Sequence, residues 1–490
     1  MTEPSAAPSA APSAARAVWC EHAWLGAGGV ADAVRVEVDD AGLVVNVLAG
    51  VPARDGDVVL RGVAFPGAAN AHSHAFHRAL RGRTHARGGT FWTWRETMYR
   101  AANALTPELY EELATAVYAE MVVAGWTSVA EFHYVHHRTD GTPYGQGDAD
   151  AHGDYGEHAM ELALARAAVR AGIRLTLLDT CYLAGGFGLP PEEGQRRFSD
   201  GTAERWLERL ASLRAAVAAQ YPAHRVTVGA ALHSVRAVPE QDLAVVARYL
   251  PADLPLHVHL SEQPAENEAC LRSTGRTPTA LLDRHGLVTG RLSAVHATHV
   301  SDRDIAVLAD AGAVIVVCPT TEADLADGIG PAGDFREAGA RLALGTDQHA
   351  VVDPWLEMRA LEHGERLRTG RRGHFDPQWL HGIAALGGAA AQGRPGAGFA
   401  PGSAADLMAV DPRSARTAGS AREQLAYTAT AQDVTAVVVG GVLVARDGVH
   451  AALGAPGPLL AAAIARLDDA AAATDGPGRP ATHHLQPRER

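Results

Sequence analysis

The sequence predicts an α/β protein: a (β/α)8 barrel of TIM type with a small, discontinuous β-sandwich domain built from N- and C-terminal segments. Three observations point there. Strand-like apolar runs alternate with amphipathic helical stretches through the middle of the chain, the pattern of βα units around a parallel sheet. Eight such runs can be counted, and most end in polar residues, above all histidine; barrel active sites sit at those strand ends. Both flanks of this region instead show short β-type runs separated by Gly and Asp, which suits a separate antiparallel unit.

In chain order, residues 1–16 form an Ala/Ser/Pro tract expected to be a disordered tail. Residues 17–65 supply the first part of the small β domain, with runs at 34–38, 43–47 and 58–63. The barrel is expected over 66–390. Its eight strands are read as 58–65 running into the next loop, 127–133, 174–181, 225–232, 254–259, 292–296, 313–318 and 341–345. Amphipathic helices are predicted at 106–124, 155–171, 202–219 and 239–249. Residues 391–453 return to β-like runs (405–410, 434–439, 442–446) with Gly-Gly and Asp-Gly turns, and so rejoin the small domain. Residues 454–490 read as one Ala-rich helix followed by a polar tail.

Composition narrows the function. A net charge of −13 argues against nucleic acid as a partner. No apolar run approaches the ~18 residues of a membrane span, and the N-terminus lacks the basic and apolar regions of a secretory signal. Cys20, Cys181, Cys270 and Cys318 are scattered, without a CxxC pair, as expected in a reducing cytoplasm. All 43 basic residues are arginine. The absence of lysine excludes Schiff-base catalysis, pyridoxal phosphate chemistry, a P-loop lysine and a carboxylated lysine bridging two metals.

The chemistry starts at Asn70-Ala-His-Ser-His-Ala-Phe-His-Arg78. In extended backbone, residues two apart point the same way, so His72 and His74 converge as half of a divalent-metal site. Later strand ends offer the rest: His133 and Tyr134, His233 and Arg236, His257, His259 and Glu262, His296 and His299, Asp347 and His349. One imidazole from the fifth strand and Asp347 from the eighth complete a shell of three histidines and one aspartate. Either His257 or His259 serves; His259 is favoured because Glu262 then falls beside a bound water as a proton shuttle. His296 lies across the site as general acid/base or hydrogen-bond donor. Zinc in such a shell lowers the pKa of bound water to about 7; Fe(II) suits the same ligands.

These residues resemble the amidohydrolase superfamily in its mononuclear deaminase branch. More narrowly, Asn70-Ala-His-Ser-His-Ala-Phe, Phe91-Trp-Thr-Trp-Arg95-Glu, Ala130-Glu-Phe-His-Tyr134-Val-His-His and Cys318-Pro-Thr-Thr-Glu-Ala resemble the formimidoylglutamate deiminase family, over about residues 17–450. The resemblance implies hydrolysis of N-formimino-L-glutamate to N-formyl-L-glutamate and ammonia, in histidine degradation, by a cytoplasmic homodimer. It implies one zinc per subunit on His72, His74, His259 and Asp347, and proton handling by Glu262, His296 and Asp347. Arg95, Tyr134, His233 and Arg236 match the family's substrate-binding positions, and guanidinium suits a small, anionic, amino-acid-derived substrate because its planar fork pairs with carboxylates. His77 departs from the family, which has Gln there, and puts the choice between formimino-glutamate and formimino-aspartate in question. The rival readings are another deaminase of this fold acting on a nucleobase, and a non-catalytic barrel scaffold.

Overall fold

The computed structural model describes residues 16–85, 91–145 and 155–475; within helices, the side chains of residues 91–93, 474 and 475 are not described. The N-terminal tail expected over 1–16 thus lies, apart from Arg16, outside the described residues, as does the polar tail after the last helix.

The chain first lays down four strands, β1 (Arg16–Trp24), β2 (Val30–Val38), β3 (Val44–Leu48) and β4 (Val58–Pro66). It then enters the barrel with β5 (Ala68–Ser73), β6 (Trp126–His133), β7 (Arg174–Cys181), β8 (Val226–Leu232), β9 (Leu256–Leu260), β10 (Leu292–His296), β11 (Val314–Val317) and β12 (Arg341–Leu344). It returns through β13 (Leu407–Val410), β14 (Val434–Val439), β15 (Val442–Arg446) and β16 (Val449–His450). Strands β5 to β12 hydrogen-bond in sequence order, each parallel to its neighbour. The barrel closes where β5 meets β12: Ser73 bridges Asp347, and the Thr346 and Asp347 N–H groups both donate to the His72 carbonyl at 3.0 Å. The other strands form one eight-stranded sheet in the order β16-β15-β14-β13-β4-β1-β2-β3. It is mixed rather than purely antiparallel, because β1 pairs with β4 in parallel.

One assignment changes. The apolar run 58–65, counted above as the first barrel strand, is β4 of the small sheet, paired with β1 and β13. The first barrel strand is 68–73, so His72 lies in the strand itself and not in a loop beyond it. Pro66-Gly67 is the crossing between the two sheets. Gly67 is there because a Cβ would sit 2.3 Å from the Thr127 side chain on β6.

The helices that clothe the barrel are specified locally. Helix α1 spans Phe91–Ala104. Helix α2 (Pro107–Ala124) starts at Thr106, whose hydroxyl accepts from Leu109 N–H, carries Pro at its first turn, and stops at Gly125 in the left-handed region. Helix α3 (Ala159–Ala171) ends on Gly172 in the same way, and α4 (Ala203–Gln220) is capped by Thr202. Strands β6 and β7 are buried along their whole length, as expected when a parallel sheet is covered by helices outside and filled by side chains inside. The last helix, Pro456–Asp475, packs on α1 and α2. Among the described residues no helix is long and apolar enough to cross a membrane.

Two joints tie the sheet to the barrel. Arg174 on β7 makes a buried bidentate pair with Asp406, at 2.8 and 2.9 Å, just before β13. His381 stacks on Phe65 of β4 (ring centroids 4.6 Å) and lies 4.9 Å from Trp24 of β1.

Candidate metal centre

Four side chains from three strand ends meet at the mouth of the barrel. His72 is in β5, His74 follows two residues later in extended backbone (φ −122°, ψ 92°), His259 is in β9 and Asp347 follows β12. His259 Nε2 lies 3.1 Å from His72 Nε2 and 3.3 Å from His74 Nε2. Asp347 Oδ1 lies 3.3 Å from His72 Nε2 and 3.5 Å from His74 Nε2. One ligand atom from each of the four falls within 4.8 Å of all the others, and all four residues are buried.

The tautomers show what this arrangement is for. His74 donates Nδ1–H to the Phe132 carbonyl (2.9 Å) and His259 donates Nδ1–H to the His233 carbonyl (2.8 Å). A carbonyl accepts only, so each neutral ring must present a bare Nε2 lone pair to the centre. Burial lowers the pKa of His72, His74 and His259, which keeps these rings neutral. Burial alone would raise Asp347, but the hydrogen bond from His72 and the positive charge of His296 bring it down to about 2. Inward-facing lone pairs and a carboxylate repel one another unless a cation lies between them. The donor set of three imidazoles and one carboxylate fits a zinc-class divalent ion.

Backbone strain gathers at the same place. Ser261, His296, Ala297, Asp347 and His349 all have φ between 42° and 71°, a region costly for residues other than glycine and common at active sites. The close approach of β12 to β5 also requires Gly345, where a Cβ would lie 2.8 Å from His72 Cβ and 2.9 Å from Cys318 Sγ.

A cavity of about 110 Å3 opens on this centre. Arg95, Tyr134, His233, Arg236, Glu262 and His77, all singled out in the sequence, reach its wall, together with His296. Arg95 Nε donates to the Tyr99 hydroxyl at 2.9 Å. Arg236 Nε stands 3.6 Å from Glu266, with about a third of its side chain exposed (36%). His77 Nε2 is 3.0 Å from the Tyr134 hydroxyl, and burial pushes its pKa down to about 3, so it is a neutral donor–acceptor. His296 Nε2 lies 3.9 Å from Asp347 and 4.0 Å from Glu262. Burial disfavours its charged form, but the carboxylates of Glu262, Glu322 and Asp347 prevail and raise it to about 10.

Other strand-end residues are placed elsewhere. His257, the alternative to His259, points the other way and donates Nε2–H to the Ala391 carbonyl. His299 donates to the Asp327 carbonyl, and His349 lies between Ser73 and Thr346 behind the seam. His133 sits outside the barrel wall against α2 and α3. Sequence reasoning gave no role to Glu322, 3.3 Å from His296 Nδ1, although Cys318-Pro-Thr-Thr-Glu was a recognised motif. It also passed over Glu131, which accepts from Ser73 Oγ (2.7 Å) and Ala75 N–H (2.6 Å) and so holds the turn that carries His74.

Comparison with known proteins agrees with this architecture. The model of the amidohydrolase family matches residues 63–444. A formimidoylglutamate deiminase of Pseudomonas aeruginosa is 40% identical over 450 residues, covering 89% of this chain and 96% of that protein. An 8-oxoguanine deaminase of the same organism is 30% identical, covering 84% of this chain and 88% of that protein. Among solved structures, an amidohydrolase from Brucella melitensis superposes with a TM-score of 0.81 at 33% identity, over 94% of this chain and all of that one. A zinc-bound adenosine deaminase from Xanthomonas campestris shares the fold, with a TM-score of 0.76 at 24% identity over 93% of this chain and 98% of that one.

Proposed function

The chain belongs to the amidohydrolase family, and we propose that it hydrolyses N-formimino-L-glutamate to N-formyl-L-glutamate and ammonia. It is a homologue of formimidoylglutamate deiminase and a hydrolase of C–N bonds. The observation that carries the substrate is the pairing of a metal-ligand cluster with two guanidinium groups, Arg95 and Arg236, on one cavity wall. A dicarboxylate amidine needs cations at its far end and an activated water at its near end. Aromatic rings such as Tyr134, Tyr182 and Phe198 also line this cavity, so stacking does not separate the two readings; the paired guanidinium groups, which a neutral nucleobase does not need, are why the deiminase reading is preferred to that of the 8-oxoguanine deaminase relative.

In this reading His72, His74, His259 and Asp347 hold a zinc ion, Fe(II) being the alternative for the same ligands. Bound there, the ion supplies Lewis-acid activation of water near neutral pH. Arg95 and Arg236 bind the substrate carboxylates, and Tyr134, His233 and His77 hold the amino-acid backbone between them. Glu262 moves a proton to the amidine nitrogen so that it leaves as ammonia. Asp347 takes up the proton that water gives away, and His296, kept protonated by the carboxylates around it, donates a hydrogen bond across the site. Burial of the set excludes bulk water, and every polar contact gains strength accordingly.

The reading implies a role in histidine degradation, a cytoplasmic location and a homodimer, the last open to sedimentation. Ammonia release is the test: the purified enzyme is offered N-formimino-L-glutamate, N-formimino-L-aspartate and 8-oxoguanine. The expected order puts the glutamate derivative first. Preference for the purine would transfer the assignment to the nucleobase deaminases, and no ammonia from any of them would favour a scaffold.

A further inference from the structure

Strand β6 carries chemistry on both faces. Phe132 and Tyr134 face the centre described above, packing 5.3 and 5.4 Å from the His74 ring. His133, between them, points the opposite way into the helix layer, as alternation along a strand requires. There its Nε2 lies 3.4 Å from Glu161 Oε1 on α3, and His136 Nδ1 lies 2.9 Å from the same oxygen. His133, His136 and Glu161 each offer one ligand atom within 4.8 Å of the others, and all three are fully buried. Asp179 of β7 adds an oxygen 3.5 Å from His136 Nδ1.

Hydrogen bonding leaves this cluster incomplete. His136 Nε2 faces the Thr180 carbonyl at 2.9 Å, so it carries the proton. In a neutral ring, Nδ1 is then a bare lone pair set against a carboxylate oxygen. His133 Nε2, Glu161 Oε2 and Asp179 Oδ2 are buried and have no hydrogen-bond partner. Three buried carboxylates, those of Glu161, Asp179 and Asp200, share the one guanidinium of Arg209, which donates to Asp179 at 2.8 Å, to Glu161 at 3.0 Å and to Asp200 at 2.8 Å; Asp200 also has His137 Nε2 at 3.0 Å. With neutral imidazoles the set lacks two positive charges, and a buried uncompensated charge is costly. A cavity of about 800 Å3, lined by His136, Glu161, Asp200 and Arg209, gives an ion a way in.

We propose that His133, His136 and Glu161, with Asp179 beside them, form a second divalent-metal site that takes a zinc-class ion. Two imidazole nitrogens with one or two carboxylates match the borderline-soft preference of that class over calcium or magnesium. The site is structural: it locks the end of β6 and thereby fixes Tyr134, the next residue, in the wall of the substrate cavity. It supplements the single ion expected from the sequence.

Zinc analysis of the full-length holoenzyme, saturated with zinc and freed of loose ion by gel filtration, tests this. Two equivalents per chain are expected, falling to one in His136→Gln and in Glu161→Gln. One equivalent in the wild type would overturn the proposal, as would two that neither variant reduces. Anomalous scattering at the zinc edge from wild-type crystals gives the same answer without a variant. A peak enclosed by His133, His136 and Glu161 is expected; its absence means that Arg209 and protons alone balance these carboxylates.

Discussion

Glu262 shows how much of this site rests on single side chains. It faces the cavity with 17% of its side chain exposed, 4.0 Å from His296, and is not among the four clustered ligands. A positioned proton shuttle contributes about 10²–10⁴-fold to a rate, so Glu262→Gln is expected to lower kcat by that factor with metal content unchanged. An unaltered kcat would remove it from the proton path. Arg95 and Arg236 have a different signature. A charge-assisted hydrogen bond is worth about 1.5–3 kcal/mol, so Arg95→Met and Arg236→Met should each raise KM by about 10–150-fold; an unchanged KM would take them off the substrate. The residues that spacing exposes are those at strand ends: His72 and His74 by their interval of two, His259 and Glu262 by theirs of three, and Asp347 after the last strand. Glu131 and the partners of His133 were not legible. Glu161 lies in the first turn of an amphipathic helix, 28 positions after His133, where a carboxylate is an ordinary helix-start residue, and nothing local distinguishes it from a surface one.

At the scale of elements, the seam between β5 and β12 sets the spacing of the candidate ligands His72 and Asp347. The His72 carbonyl accepts from both Thr346 and Asp347, and Asn70 Nδ2 donates to Thr346 Oγ1 at 2.7 Å. Gly345 makes this approach sterically feasible. Forcing extra atoms into a packed core typically costs about 1–3 kcal/mol. Gly345→Ala should therefore lose stability of that order in denaturant unfolding and lose metal affinity as His72 is displaced; wild-type affinity would show that the seam tolerates the methyl group. Most of the elements followed from pattern. Eight apolar runs alternating with amphipathic stretches are local signals, and they predicted helices such as 106–124 to within a residue or two. The first barrel strand was mistaken because 58–65 and 68–73 are consecutive strands. The former is the more apolar, and only pairing partners show that it belongs to the other sheet.

At the scale of the whole molecule, the small sheet and the barrel are joined by buried polar groups whose charge state matters. Arg174 and Asp406 pair across the joint, and His381 sits among Phe65, Trp24 and Trp355. Burial lowers the pKa of His381 from 6.5 to about 3, so the folded chain holds it neutral. Between those values the unfolded chain binds a proton that the folded chain does not. Stability is fully present above pH 6.5 and falls as pH drops toward 3, by about 1.4 kcal/mol per pH unit for this one group. Replacing it, as in His381→Phe, should flatten the acid limb of the unfolding free energy by close to one proton; an unchanged slope would show that His381 already binds its proton in the folded state.

Metal removal and reconstitution test the central claim most directly, that a cation held by His72, His74, His259 and Asp347 drives hydrolysis of a formimino-amino acid. Stripped with a chelator, the enzyme should stop releasing ammonia from N-formimino-L-glutamate, and added zinc or Fe(II) should restore the rate. Full activity in the metal-free enzyme would contradict the account, and so would a metal-loaded enzyme inert toward that substrate.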